Sequence, residues 1–459
     1  IKGHVSLGSL RVRQDFLLAQ GLIEAYEEGR TPDPRLEEMA LARLRQLSAH
    51  EVGHTLGLSH NYIASTLNRA SVMDYPHPLI RFEGGAINLD DAYDTGIGAW
   101  DKRAILYGYQ DFEAGMDVDQ ELADILAENE KKGQVFLSDA EARPLGSSHP
   151  DVHLWDNGAS AAEELMRLNK LRQQAIEDFS VKSIPEGAPM ATMEDVLVPV
   201  YFMHRYQAEA TAKVIGGRRY RYQVRGDKQP GPEVVSLKEQ QAAFDALMET
   251  LEPDFIGLPI ELVEQIPPRP LGYARGREHF KIRTGFTLDP LGIAETSADM
   301  TLGLMLHPQR ANRLVAFKAY DREAMGLIDL QNQLIERILV RRLGEDDRKN
   351  TPQTEAMRQV VEKALIKHFI YLALHEDAQP QTVAITRQNL RRLSSVVIPQ
   401  RQAQAGGAEI EKRAHLTYCR DLIEQYFTNP QEIKLPETPA LPDGSPIGLG
   451  MGSRCGDWH

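Results

Sequence analysis

Apolar residues recur along most of this chain every three or four positions, the period of a helix that packs on one side. In QDFLLAQGLIEAYEEG, residues 14–29, Phe16, Leu17, Leu22, Ala25 and Tyr26 keep that spacing until Gly29 and the following TPDP break it. Asp33 as N-cap and Pro34 at the first helical position predict a second helix, running through Leu36, Ala40, Leu44 and Leu47 into HEVGHTLGLSH at 50–60. GAWDKRAILYG predicts a third, with Trp100, Ile105 and Tyr107 assigned to the core. The opening HVSLGSLRV departs from the pattern: Val and Leu are separated by small polar residues, Gly8 shifts the alternation as a bulge would, and the segment reads as a strand.

Loop and turn signals dominate between Asn61 and the third helix, including NRASVMDYPHP at 68–78. The polar stretch LSDAEARPLGSSHPDVHLWDNG, from Leu137 to Gly158, has the composition of a domain boundary. Beyond it the helical period returns. Leu165, Leu168, Ala175, Ile176 and Phe179 line one face, and Val361, Leu365, Phe369 and Leu372 line another. Segments near 193–214, 236–251, 295–306, 309–318 and 326–343 are also predicted helices, separated by breaks such as GDKQPGPE and QIPPRPLG. No fixed repeat period marks a solenoid. The expected class is α+β, predominantly α, with a histidine-bearing unit over 1–135, a boundary at 136–158, a helical extension over 159–430 and a Pro/Gly-rich tail over 431–459.

The composition of the 459 residues, 42% hydrophobic and 26% charged, is that of a globular chain with at least one large core. A formal net charge of -14 disfavours binding to a phosphate backbone. The cluster of Arg218, Arg219, Arg221 and Arg225, interleaved with Tyr220 and Tyr222, reads as a solvated turn, so no nucleic-acid partner is expected. No apolar run reaches the eighteen residues of a membrane span, and the first residues form no signal peptide. Because the chain starts with Ile1, a processed product or a fragment is expected. Two cysteines, Cys419 and Cys455, allow one bridge and leave the redox compartment open.

The chemistry concentrates at residues 50–60. On a helix, His50 and His54 lie on one face and can present two imidazoles to one ion. Glu51 is about 100° round the axis, placed to meet a water on that ion without being a ligand. Gly57 can take the left-handed conformation that ends a helix, letting the chain return His60 as a third ligand. Three neutral imidazoles and a water form the open four-coordinate site of a catalytic zinc. Chance would produce this pattern in such a chain with a probability on the order of 10⁻⁴.

The motif resembles the signature of the metzincin zinc peptidases, which carry a second mark, a tight turn with a methionine beneath the metal. SVMDY, residues 71–75, is similar to that turn, and the resemblance places Met73 as the floor under the histidines. It also places Tyr75 where astacins and serralysins have a tyrosine that approaches the zinc, and likens DKRAILYGY to the helix closing the catalytic domain of matrix metalloproteinases. The whole chain looks like a bacterial family of zinc-dependent metalloproteases with a long helical extension. The resemblance implies a Zn²⁺ cofactor, a peptide or protein substrate, a periplasmic or secreted location, and endopeptidase chemistry with Glu51 as general base. Such enzymes usually place a twisted sheet before the zinc helix, and only 49 residues precede His50, so part of that sheet is expected to be missing. HVSLGSLRV could be its edge strand, pairing with extended substrate, or an internal strand. Two alternatives stay open: a helical scaffold protein with a vestigial zinc site, and a zinc exopeptidase.

Other histidines are given structural roles. His368, among Leu365, Phe369 and Leu372, reads as hydrogen-bonded and partly buried. His375 lacks a second histidine four residues on. His149, Asp151, His153 and Asp156 could bind a structural ion, and His204 in VYFMHRYQ could face a substrate cleft if the helical part folds back over it.

Overall fold

A computed structural model of the protein describes residues 9–445 apart from 28, 342, 344–350 and 406–408, with side chains from residue 12 onward. The chain starts with α1 (Ser9–Leu22), α2 (Arg35–Thr55), α3 (Ala99–Tyr109), α4 (Val118–Lys131) and the single turn α5 (Asp139–Ala142). It continues with α6 (Ala161–Glu177), α7 (Met193–Tyr201), α8 (Arg205–Val214), α9 (Leu237–Glu249), and the short α10 (Pro253–Ile256) and α11 (Ile260–Gln265). Then follow α12 (Pro290–Met305), α13 (Pro308–Tyr320), α14 (Leu327–Ile335), α15 (Pro352–Leu374), α16 (Pro380–Arg392), α17 (Ile398–Gln404) and α18 (Ile410–Thr428). Two antiparallel pairs are the strands among the described residues: β1 (Arg81–Glu83) with β2 (Ala86–Asn88), Phe82 opposite Ile87, and β3 (Arg218–Arg219) with β4 (Glu233–Val234). The protein is thus predominantly helical.

Local signals start several helices. Asp289 before Pro290 and Thr351 before Pro352 each accept a hydrogen bond from a backbone N–H of the first turn, with proline at the position that needs no donor. At α2, Asp33 Oδ1 accepts from the Arg35 N–H at 2.9 Å. The buried face of α2 is Leu36, Met39, Arg43, Gln46, Leu47, His50 and Gly53, so the stripe that packs the helix leads directly to the first histidine.

Burial divides into three clusters. α1 and α2 pack with α6 and α7 through residues such as Leu18, Met39, Leu171 and Val196. A larger core joins α8, α9, α12 to α16 and α18, with Leu302, Leu365, Phe369 and Ile423 fully buried. A small cluster around Tyr62, Tyr75, Leu137, Val152, Trp155 and Tyr206 lies beside the histidines.

Some expectations are corrected. Of HVSLGSLRV, residues 4–8 lie outside the described residues, while 9–12 open α1. No described strand pairs with that segment, and the helix instead buries Leu18, Ala19 and Leu22. On α3 only Asp101 is buried: Trp100 and Ile105 are half-buried and Tyr107 is exposed, because that helix lies at the edge of the fold and Trp100 stacks on Phe136 at 5.8 Å. His204 is fully buried, its ring edge-on to Phe255 at 4.9 Å, and faces no cleft. Residues 431–445 have no helix or strand, and the rest of the tail, with Cys455, lies outside the described residues; Cys419 is buried on α18. No described helix is long and apolar enough to cross a membrane.

Candidate metal centre

The last two turns of α2 carry His50 and His54. The helix ends where Gly57, at φ +83°, donates to His54 O (2.9 Å) and Leu58 N–H donates to Gly53 O (3.1 Å), the paired bonds of a left-handed helix stop. This reversal brings His60 back toward the helix. The three rings gather, with centroid separations of 4.6 Å (His50 to His54), 4.7 Å (His54 to His60) and 5.3 Å (His50 to His60). One ligand atom from each lies within 4.8 Å of the others, and this is the cluster among the described residues placed to hold a metal ion. His149, Asp151, His153 and Asp156 form no such cluster there.

Each imidazole is oriented through Nδ1. His50 Nδ1 donates to Val72 O at 2.6 Å, His54 Nδ1 to Leu58 O at 2.9 Å, and His60 Nδ1 to Asp139 Oδ2 at 2.9 Å. A carbonyl or carboxylate oxygen can only accept, so the proton of each neutral ring sits on Nδ1 and Nε2 carries the lone pair that a metal would take. His54 Nε2 and His60 Nε2 are 3.2 Å apart. Two lone pairs at that distance repel unless a cation lies between them. Two ligands of a tetrahedral zinc with Zn–N of about 2.0–2.1 Å stand about 3.3 Å apart, so the donor set fits the ion.

Burial by itself lowers the His60 pKa, and the Asp139 hydrogen bond opposes that shift. For Asp139, burial acts to raise the pKa, but hydrogen bonds from His60 and Arg143 outweigh it and hold the carboxyl well below the usual carboxylate range.

Against the end of α2 lies the turn at Ser71–Asp74, whose Val72 O accepts from His50 Nδ1. Met73 is fully buried, and a Cβ on Gly53 would collide with its Sδ, so a glycine in α2 permits this close approach. Asp101 of α3 fixes the turn, accepting from Ser71 Oγ (2.5 Å), Val72 N–H (2.8 Å) and, at its own helix start, Gly98 N–H (2.7 Å). Met73 O in turn accepts from Asn61 N–H at 3.0 Å.

Tyr75 Oη is 2.9 Å from His60 Nε2, and its ring stacks on Trp155 at 5.2 Å. Trp155 N–H donates to Tyr75 O at 2.7 Å, and Arg43 of α2 covers the indole at 5.2 Å. Trp155 has φ +60°, a conformation costly for a bulky residue and imposed here by these contacts. Glu51, beside His50 on α2, is half-buried, and so is His54.

Sequence patterns concealed three of these residues. Asp101 and Asp139 sit in the first turns of helices, where an acidic side chain has a local reason to be, and Trp155 lies in a stretch with the composition of a linker.

A helix-borne histidine pair joined by a third histidine after a glycine stop, all three held with Nε2 inward, is the donor set of a mononuclear zinc centre. The sequence model of the Met-zincin family matches residues 32–343, more than half of the chain, and the protein belongs to that family. With the three histidines placed to bind a metal, membership makes it a zinc metalloprotease in the general sense, acting on peptides or proteins. No curated protein and no solved structure matches the chain.

Proposed function

We propose that the protein is a zinc-dependent endopeptidase in which His50, His54 and His60 hold the ion. The observation that carries this reading is the convergence of three imidazoles whose Nδ1 atoms are already committed to Val72, Leu58 and Asp139. When bound, zinc supplies Lewis acidity that acidifies a water and polarises the scissile carbonyl. Glu51 takes the proton from the attacking water at its carboxylate and delivers it to the leaving amine nitrogen. Tyr75, held by Trp155 stacking, turns its Oη from His60 toward the substrate and donates to the oxyanion as it forms. Met73 acts as the floor of the site, a Met-turn, keeping water from beneath the imidazoles. The partial exposure of Glu51 and His54 supports access by a polypeptide, and a periplasmic or secreted setting belongs to the same reading.

The test is digestion of an unstructured peptide library by the zinc-loaded protein, read by mass spectrometry beside Glu51→Ala. Internal cleavages that vanish in the variant are expected. Trimming confined to peptide ends would replace the endopeptidase with an exopeptidase, and zinc binding without cleavage would favour a scaffold.

A further inference from the structure

We propose that Asp139 is a positioning residue for the third ligand, held in place by buried cations of the helical region, so that α8 and α13 are parts of the zinc centre. The inference rests on the reading of His60 as a ligand.

The three histidines are not equally constrained. His50 and His54 ride on α2, and their rings donate to carbonyls at the helix end and the turn below it. His60 stands on irregular chain, where no helix fixes its direction. Its ring is aimed by Asp139 through Nδ1 and by stacking on Tyr62 at 5.1 Å. Asp139 is fixed in turn by Arg143, one helical turn on, whose Nε donates to Oδ1 while Nη2 donates to Tyr62 Oη at 3.2 Å. A carboxylate on the outer nitrogen of a ligand imidazole sets its orientation and raises its basicity.

The chain from Asp139 to Trp155 therefore links the residue that aims His60 to the residue that backs Tyr75, and it contains almost no regular structure of its own. What holds it is a set of cations from beyond residue 200. Lys213 Nζ, 1% exposed as a residue, donates to the carbonyls of Glu141 (3.1 Å), Ala142 (2.5 Å) and Val152 (3.0 Å). Arg310, fully buried, donates to Leu145 O at 3.1 Å, and Arg313 to Gly146 O at 2.6 Å and Ser147 O at 3.2 Å.

Taking such cations out of water is unfavourable, and burial pushes the Lys213 amine down to about 7 and the Arg310 guanidinium to about 9. Apolar side chains could have filled the same space without that cost. They could not have fixed the register of a backbone, because only hydrogen bonds to successive carbonyls do so. The arrangement is accounted for if the position of this segment matters to the site it serves. The family match, over residues 32–343, spans the histidine motif and both anchoring helices.

The 459-residue chain is compared with Asp139→Ala and Asp139→Asn by zinc affinity in competition with a chromophoric chelator, by the absorption bands of the cobalt(II) form, and by thermal unfolding of the metal-free protein. Asp139→Ala is expected to weaken zinc binding by about 10–100-fold and to alter the cobalt bands, while the metal-free protein keeps one cooperative transition at a slightly lower midpoint, from loss of the pairs with Arg143 and His60. Asp139→Asn, whose amide oxygen still accepts from Nδ1, should recover part of the loss. Lys213→Met should weaken zinc although Nζ touches no ligand, and combining it with Asp139→Ala should add little, because the two act in series; Arg313→Gln replaces it in the cycle if Lys213→Met does not fold. Zinc affinity within twofold of wild type and wild-type cobalt bands in Asp139→Ala would overturn the role of Asp139. Fully additive losses would overturn the anchoring. A wild-type protein that binds no zinc would instead bring down the ligand assignment itself.

Discussion

The histidine centre and the α12–α15 core bury polar groups under opposite conditions. On α15, Val361, Leu365 and Phe369 are fully buried along a regular stripe, and the one histidine among them, His368, turns to the edge and meets Asp299 at 3.0 Å. Around His60 the backbone is irregular, and its polar groups are satisfied by distant parts of the chain: Asn61 Nδ2 by Val135 O at 3.0 Å, Leu137 N–H by Asn61 Oδ1 at 3.2 Å, and Asn157 Nδ2 by His77 O at 3.0 Å. A helical core satisfies its backbone internally and asks its side chains only to be apolar and to fit. A loop-built centre has no such internal supply, so each of its hydrogen bonds fixes a position as well as contributing stability. Damage should therefore appear as lost metal or chemistry at the centre, and as lost stability in the core.

The largest separation between the two regions is expected from their histidines. His54→Ala should abolish stoichiometric zinc and reduce peptide hydrolysis by more than about 10⁴-fold, whereas His368→Ala should leave both within about twofold. Metal analysis of the purified variants checks this, and equal zinc content in wild type and His54→Ala would remove His54 from the ligand set. Glu51→Ala should keep its zinc and lose about 10²–10⁴-fold in kcat, the usual contribution of a general base. A variant still turning over at the wild-type rate would assign that proton transfer elsewhere.

Core truncation should do the reverse. Leu365→Ala is expected to cost about 2–5 kcal/mol in urea unfolding while zinc affinity stays unchanged; a matching loss of zinc would show the two regions coupled more tightly than their packing indicates. Gly53→Ala lies between them. A methyl group there must displace buried Met73, at a cost of about 1–3 kcal/mol, and this change should reach zinc affinity as well as stability.

The smallest effect concerns pH. Burial, reinforced by Arg172 and Arg205, holds the His204 pKa well below the ordinary imidazole value. The unfolded chain then binds a proton that the folded one does not, so this contribution to stability is intact above about pH 6.5 and declines as pH falls below it, by up to about 2 kcal/mol at pH 5. His204→Leu should shrink the drop in urea midpoint between pH 7.5 and 5; an undiminished drop would assign it to other groups.

The helical period located the helical region well. Predicted segments at 236–251 and 309–318 correspond to α9 and α13, and the faces through Leu165 and Leu365 are buried. The stretch at 193–214 is two helices, α7 and α8, with a turn at 202–204 shortly after Pro199, a break signal that the apolar period on either side of it overrode. Residues 9–12 of the expected initial strand are helical for a related reason: alternation over a short stretch is compatible with either element until a pairing partner exists, and none is present among the described residues. At the centre, the spacing of His50, His54 and His60 was legible because a helix and its glycine stop are set by neighbours in sequence. Asp139, Trp155 and Lys213 were not legible, since their partners lie 79, 80 and 61 to 72 residues away.

What the sequence determined by itself is thus the part of this protein governed by local rules: two imidazoles four residues apart on one helical face, a glycine able to turn left-handed after them, and the apolar stripes that make the rest of the chain helical. Tertiary structure alone decided which carbonyls and which carboxylate orient those imidazoles, that Trp155 backs Tyr75, and that cations of α8 and α13 hold the strap between them. The physical reason is that such contacts join chain segments with no shared period. They depend on how the three clusters pack together, and no single stretch of residues records that packing.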